Sequence, residues 1–246
     1  MQIEWIEFET RDKLAEGVAE RIAADINADI QFRNTAAIFL PGGQTPRALY
    51  RAISYLELTW NKIHISLTDE RCVSDGHPQS NATVLWQELL STHPDALWYP
   101  LWRSEYSSIL NTATLHPLGL ETIAHNFSAP LLQIPHLLTW VLLGMGNDGH
   151  VASLFPECTA SQHSFAPISV EQQQQRAPIV LTEAPDFPKQ RVSWRPEILR
   201  NTKHLGIYIT GATKKQQCID YLHAGQSPIR RLLHPIAEKV YIFYAP

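Results

Sequence analysis

The 246-residue sequence predicts an α/β fold, a largely parallel sheet covered by helices on both faces. Short apolar runs at 36–40, 63–67, 137–143, 179–182, 204–210 and 239–244 read as buried strands. Several of the segments between them carry apolar residues three and four positions apart, the spacing of one helix face. Three of the runs also end in polar turns: Gly42-Gly43-Gln44-Thr45, Thr68-Asp69-Glu70-Arg71 and Gly146-Asn147-Asp148-Gly149-His150. In a parallel sheet such strand ends converge on one edge, where open α/β sheets place their ligands. With no internal repeat and no linker, a single domain over residues 1–246 is expected.

In chain order, residues 11–29 place Leu14, Ala15, Val18, Ala19, Ile22, Ala23 and Ile26 on one helix face, and core packing is the only role they need. The strand at 36–40 is followed by the glycine turn 41–46 and then by an expected helix over 47–58. That order brings free helix N–H groups beside the turn, a phosphate-binding arrangement. It is not a Walker loop, because the lysine and the longer glycine spacing are missing. Ser80 is placed to cap a helix over 81–90. In 91–136 prolines and aromatics alternate, with one helix expected near 118–126. The tract 171–176, Glu-Gln-Gln-Gln-Gln-Arg, reads as a solvated loop tip. A helix over 212–222 separates the last two strands.

Composition excludes several functions. Hydrophobic residues at 44% and charged residues at 18% are ordinary for a globular protein, and a net charge of −4 without basic runs argues against nucleic acid. No run is long enough to span a membrane. The start, MQIEWIEFETRDK, lacks the basic and apolar regions of a signal peptide, and three widely spaced cysteines suit reduced thiols, so a cytoplasmic location is expected. Eleven histidines form no metal-binding pattern; neither a metal nor a cofactor is expected.

His150 is the best candidate general base, since an imidazole with an ordinary pKa of about 6.5 can take a proton from water near neutrality. Asp148, two residues away in the same glycine frame, either orients that imidazole or contacts substrate. Gly42, Gly43 and Thr45 offer N–H and hydroxyl donors to an anion, and Gly146 belongs to the glycine frame that lets backbone lie against a ligand.

The string GMGNDGHVASLFP at 144–156 resembles the signature of the 6-phosphogluconolactonase family. LPGGQTPRALY at 40–50, LTDERCV at 67–73 and QSN at 79–81 match that family in order, with weaker echoes in QRVSW at 190–194 and GATKK at 211–215. The resemblance implies a three-layer Rossmann-like fold and cofactor-free hydrolysis of 6-phosphogluconolactone in the pentose phosphate pathway, with His150 activating water. It further implies a phosphorylated sugar lactone as the small-molecule partner, and Arg71, Arg191 and Lys214 as ligands for phosphate or the developing oxyanion. A monomer is expected, with a dimer as the alternative. The chain departs from the family at Gln44, where serine is usual but whose longer carboxamide can still donate to the phosphate, and near Thr139-Trp140, where an aspartate is usual. Two rival readings share the fold. Aminosugar-phosphate isomerases and deaminases typically carry Asp-Glu-Tyr, Asn-Gly-His and an acidic residue after the histidine, where this chain has Asp69-Glu70-Arg71, Asp148-Gly149-His150 and Ser153-Leu154-Phe155-Pro156. A non-catalytic sugar-phosphate-binding protein would usually lose the histidine or add a DNA-binding module.

Overall fold

The computed structural model of the protein describes residues 3–107, 124, 125 and 128–246. Apart from residues 124 and 125, the helix expected over 118–126 lies outside the described residues. Strand β1 (Glu4–Glu7) leads into helix α1 (Arg11–Arg33), where the Thr10 hydroxyl accepts the Lys13 N–H and a left-handed Asn34 ends the helix. Its buried face comprises the seven apolar residues marked by the spacing, with Asp29 added.

Seven strands form one parallel sheet in the order β1-β10-β9-β6-β2-β3-β5. Besides β1 they are β2 (Ala36–Leu40), β3 (Ile63–Leu67), β5 (Leu97–Tyr99), β6 (Leu138–Leu143), β9 (Thr202–Thr210) and β10 (Val240–Ala245). The central β2 and β6 are buried at every position, which is why they read as apolar runs, broken in β6 only by Thr139. The edge strands β1 and β5 carry no such signal, being short and only partly buried. Helix α2 (Arg47–Ser54) stops short of the expected residue 58; the chain turns at Trp60, which is buried against the His93 ring at 3.9 Å, and enters β3.

Two expectations need correction. Asp69-Glu70-Arg71 is not a loop but strand β4 (Asp69–Arg71) of a second, antiparallel sheet ordered β4-β8-β7, with β7 (Ile179–Glu183) and β8 (Gln190–Trp194). Trp194 binds the two sheets together. Its ring stacks on Phe39 of β2 at 4.6 Å, and its indole N–H donates to the Leu67 carbonyl at 2.9 Å. The tract at 171–176 is not a loop tip either. Beyond α4 (Thr159–Ser164), residues Val170–Gln175 form helix α5, closed by a capping box between Ser169 and Gln172.

Thr139 stands where the resembling family usually carries an aspartate. Here its hydroxyl donates to the Asp29 carboxylate of α1 at 2.7 Å and accepts the Ala37 N–H at 3.1 Å. Lys203 and Arg33 complete the cluster around Asp29, which is 2% exposed. Burial acts to raise the Asp29 pKa, but hydrogen bonds from Lys203, Thr139 and Arg33 outweigh it and hold the group below its ordinary 3.8.

A carboxylate with a depressed folded-state pKa stabilises the fold above its unfolded pKa, and this stabilisation disappears as pH falls through the folded value. Asp29→Asn should therefore lower stability by about 1–3 kcal/mol at pH 7 and by progressively less in acid. Urea midpoints compared between pH 7 and pH 3 measure this, and an unchanged difference would contradict it.

Candidate active site

The strand ends of β9, β6, β2 and β3 lie side by side, and a cavity of about 210 Å³ opens beyond them. The turn after β2 forms one wall, with Gly42, Gly43 and Thr45. Asp69 and Arg71 of β4 form a second, and Gly144, Gly146 and His150 after β6 a third. Lys214 closes the fourth side from the first turn of α7, with α6 (Pro196–Arg200) and α7 (Ala212–His223) numbered in chain order.

The loop after β6 folds tightly on itself. Gly146 N–H donates to the His150 carbonyl at 2.9 Å, and Gly149 N–H to the Gly146 carbonyl at 3.2 Å. Gly146 must be glycine, because a Cβ there would lie 2.2 Å from the His150 ring. Gly149 has φ +77°, and a Cβ would meet the Tyr221 ring at 2.7 Å. The loop is held from below as well: Tyr221 Oη donates to the Asn147 carbonyl at 2.9 Å. Ile229 N–H, on α8 (Pro228–Leu233), donates to the Gly149 carbonyl at 3.3 Å.

His150 Nδ1 lies 2.5 Å from Asp148 Oδ1, which also accepts the His150 N–H at 3.2 Å. The hydrogen bond assigns the proton to Nδ1 and leaves Nε2 as the free acceptor. Burial works to raise the Asp148 pKa, yet the hydrogen bond and charge of His150 hold it below the ordinary 3.8. The ring also rests on Phe155 at 4.5 Å. Asp148 itself is outside the cavity wall and touches the site through His150. Ala152 holds φ +50°, a left-handed value rare outside glycine, in a turn that sends the Ser153 hydroxyl to Asp69 at 2.6 Å.

The opposite wall depends on Glu70. Its carboxylate accepts the N–H groups of Arg71, Asn81 and Ala82 at 2.6, 2.8 and 2.6 Å, and the Ser80 hydroxyl at 3.0 Å. It thereby joins β4 to the start of α3 (Asn81–Glu88), and its role is structural. Asn81, which the sequence marks only as the residue after the Ser80 cap, lines the cavity. Its Nδ2 donates to the Asp69 carbonyl at 3.0 Å and its Oδ1 accepts the Gly43 N–H at 3.2 Å. A Cβ on Gly42 would lie 2.0 Å from the Asn81 carboxamide, so the glycine there is required by this contact. Presence in the matching segment 79–81 was the one signal for Asn81.

The basic and polar candidates divide. Arg71 lines the cavity, with Nη1 donating to the Gln79 carbonyl at 2.6 Å and a buried Nε that has no protein partner. Lys214 lines it too and donates to Asn147 Oδ1; burial lowers its pKa, against the charge of Asp148. Arg191 lies opposite Arg71 in the β4–β8 ladder but is 9% exposed, donates to the Pro188 carbonyl at 2.7 Å and is outside the wall. Burial, and then the charge of Arg71, lower the Arg191 pKa. Gln44 is exposed and accepts from Arg47 at 3.1 Å, away from the cavity. Among the described residues no group of three or more His, Cys, Asp or Glu could hold a metal.

Residues 9–242 match the model of the family described as glucosamine-6-phosphate isomerases/6-phosphogluconolactonase. The chain belongs to this family. Curated relatives named 6-phosphogluconolactonase include one from Helicobacter pylori, 30% identical over 100% of this chain and 99% of its own. Another, from Rhizobium meliloti, is 29% identical over 97% of each chain. A crystal structure of a 6-phosphogluconolactonase from Shewanella baltica aligns over 100% of this chain and 98% of its own, with a TM-score of 0.82 at 24% identity, a likeness of fold. The α/β architecture with its mostly parallel sheet is thus that of the family.

Gly146→Ala should displace the His150 ring. We expect turnover to fall at least about 10²-fold, as misplacement of a reacting group does, while the far-UV circular dichroism stays native. Wild-type turnover in this variant would contradict the packing described.

Proposed function

We propose that the protein hydrolyses 6-phospho-D-glucono-1,5-lactone to 6-phospho-D-gluconate, the lactonase step of the oxidative pentose phosphate pathway. The observation that carries this reading is the His150–Asp148 pair at the rim of a cavity that also presents Arg71, Lys214 and the Gly42–Gly43 turn. A base and several anion donors around one cavity suit a substrate with a carbonyl and a phosphate. Full-length likeness to 6-phosphogluconolactonases supports the same conclusion.

In this mechanism His150 Nε2 takes a proton from water as the water oxygen bonds to the lactone carbonyl carbon. Asp148 holds the imidazole orientation and offsets the imidazolium charge. The tetrahedral intermediate collapses, the ring C–O bond breaks, and the imidazolium returns its proton to the departing sugar oxygen. The turn residues Gly42, Gly43 and Thr45, with Arg71 and Lys214, hold the phosphate and balance the developing negative charge. Arg191 acts behind Arg71: its positive charge, directly across the ladder, strengthens the anion preference of that wall. Asp69 is less suited to the acid–base work of an isomerase, because its carboxylate already accepts the Ser153 and Thr68 hydroxyls at 2.6 and 3.3 Å.

Three free cysteines fit a cytoplasmic setting, and among the described residues no helix is long and apolar enough to cross a membrane.

The test is hydrolysis of freshly made 6-phosphogluconolactone against its spontaneous decay, with chelator present. Wild type should accelerate it, and His150→Ala should lose about 10²–10⁴-fold without unfolding. A fully active His150→Ala sinks the mechanism, and an inactive wild type sinks the function. Lys214→Ala should raise KM for the phosphorylated lactone about tenfold or more and affect unphosphorylated gluconolactone much less. An equal effect on both substrates would remove Lys214 from the phosphate site.

A further inference from the structure

A second concavity, of about 550 Å³, lies among the chain after α4, helix α6 and helix α8, and shares no lining residue with the active-site cavity. Arg200, Arg230, Arg231 and His234 face it against a single carboxylate, Glu197. The net charge of its wall is therefore positive on a chain whose overall charge is −4. No ion pair among the described residues engages any of the three arginines.

These guanidinium groups are fixed rather than free. Arg200 donates to the carbonyls of Leu232 and Arg231 at 3.0 and 2.6 Å, and Arg230 to that of Leu222 at 2.7 Å. Arg231 grips Gln162 and lies over the Phe165 ring, 4.5 Å from its centroid. Each arginine has five N–H donors, and these bonds use one or two of them. Burial lowers the pKa of both Arg200 and Arg231; at Arg200 the charge of Glu197 opposes this and that of Arg231 adds to it. Gathering three arginines in a part-buried wall against one carboxylate is unfavourable unless a further anion completes it.

We propose that this arginine pocket is a second ligand site, for a phosphorylated small molecule that carries at least two negative charges. The phosphate groups meet the spare guanidinium N–H groups, for which planar, oriented donors are well matched. Pro167, Ile168 and Pro235 on the same wall provide apolar surface for the body of the ligand.

Isothermal titration at low salt of inorganic pyrophosphate, and of adenosine diphosphate as the same group on an apolar body, tests this. Both should bind saturably to the wild type, the second more tightly. Arg231→Gln should weaken binding about tenfold, and Glu197→Gln should tighten it several-fold by removing the one opposing charge. The binding that Arg231→Gln weakens should persist in Arg71→Gln, in the other cavity. Equal affinity for the two anions would overturn the assignment of an apolar body. The proposal fails outright if wild type binds neither anion. It fails also if Arg71→Gln abolishes binding, or if Glu197→Gln and Arg231→Gln both match wild type.

Discussion

Glu70 is a carboxylate at 2% exposure, and burial alone pushes its pKa above the ordinary 4.5. It remains in the interior because four donors converge on it, three of them backbone N–H groups from two different elements. Charge-assisted bonds of this kind are stronger than neutral ones, and two of the donors belong to a helix start that attracts negative charge. One side chain thereby binds the second sheet to α3 and brings Arg71 and Asn81 to the cavity. Asn81 then positions the glycine turn after β2 through the Gly43 N–H. The wall that carries Arg71 and the glycine turn is a consequence of this buried group, which itself lies outside the cavity lining.

The opposite wall is organised by short-range and long-range contacts in turn. Asp148 and His150 pair within one loop, so their relation depends on local geometry and on glycine at 146. Where the loop sits relative to the sheet depends on Tyr221 and Ile229, far away in sequence. Hydrolysis of an activated ester needs little beyond a base, a held substrate and compensating charge. Such a site can be built at the end of one strand and supported by its neighbours. Helix α8 supports the loop after β6 on one side and contributes two arginines to the second pocket on the other.

Burial determines which parts of this arrangement are legible in the chain. Strands buried on both faces are largely apolar, so β2 and β6 stand out, as does the helix face of α1. Edge strands β1 and β5 are only partly covered and need no such pattern. Ser169 with Gln172 is a readable capping box, but the glutamine-rich tract between 171 and 176 obscured it. Strand β4 is three residues long, too short for periodicity to register, and its pairing is set by Trp194 from far along the chain.

By itself the sequence determined the central strands, the buried face of α1, the two glycine turns at strand ends and the placing of Asp148 and His150 in one loop, because those depend on periodicity and on residues within a few positions of each other. It also carried the family motifs. Only the tertiary structure decided that Asn81 enters the cavity, that Gln44 turns to Arg47, that Arg191 stays behind Arg71, and that Asp29 supplies the carboxylate beside Thr139. Each of those outcomes depends on a partner distant in the chain or on a competing local bond. A side chain's direction follows the strongest hydrogen bond and the packing available once the fold has closed, and no spacing rule encodes that.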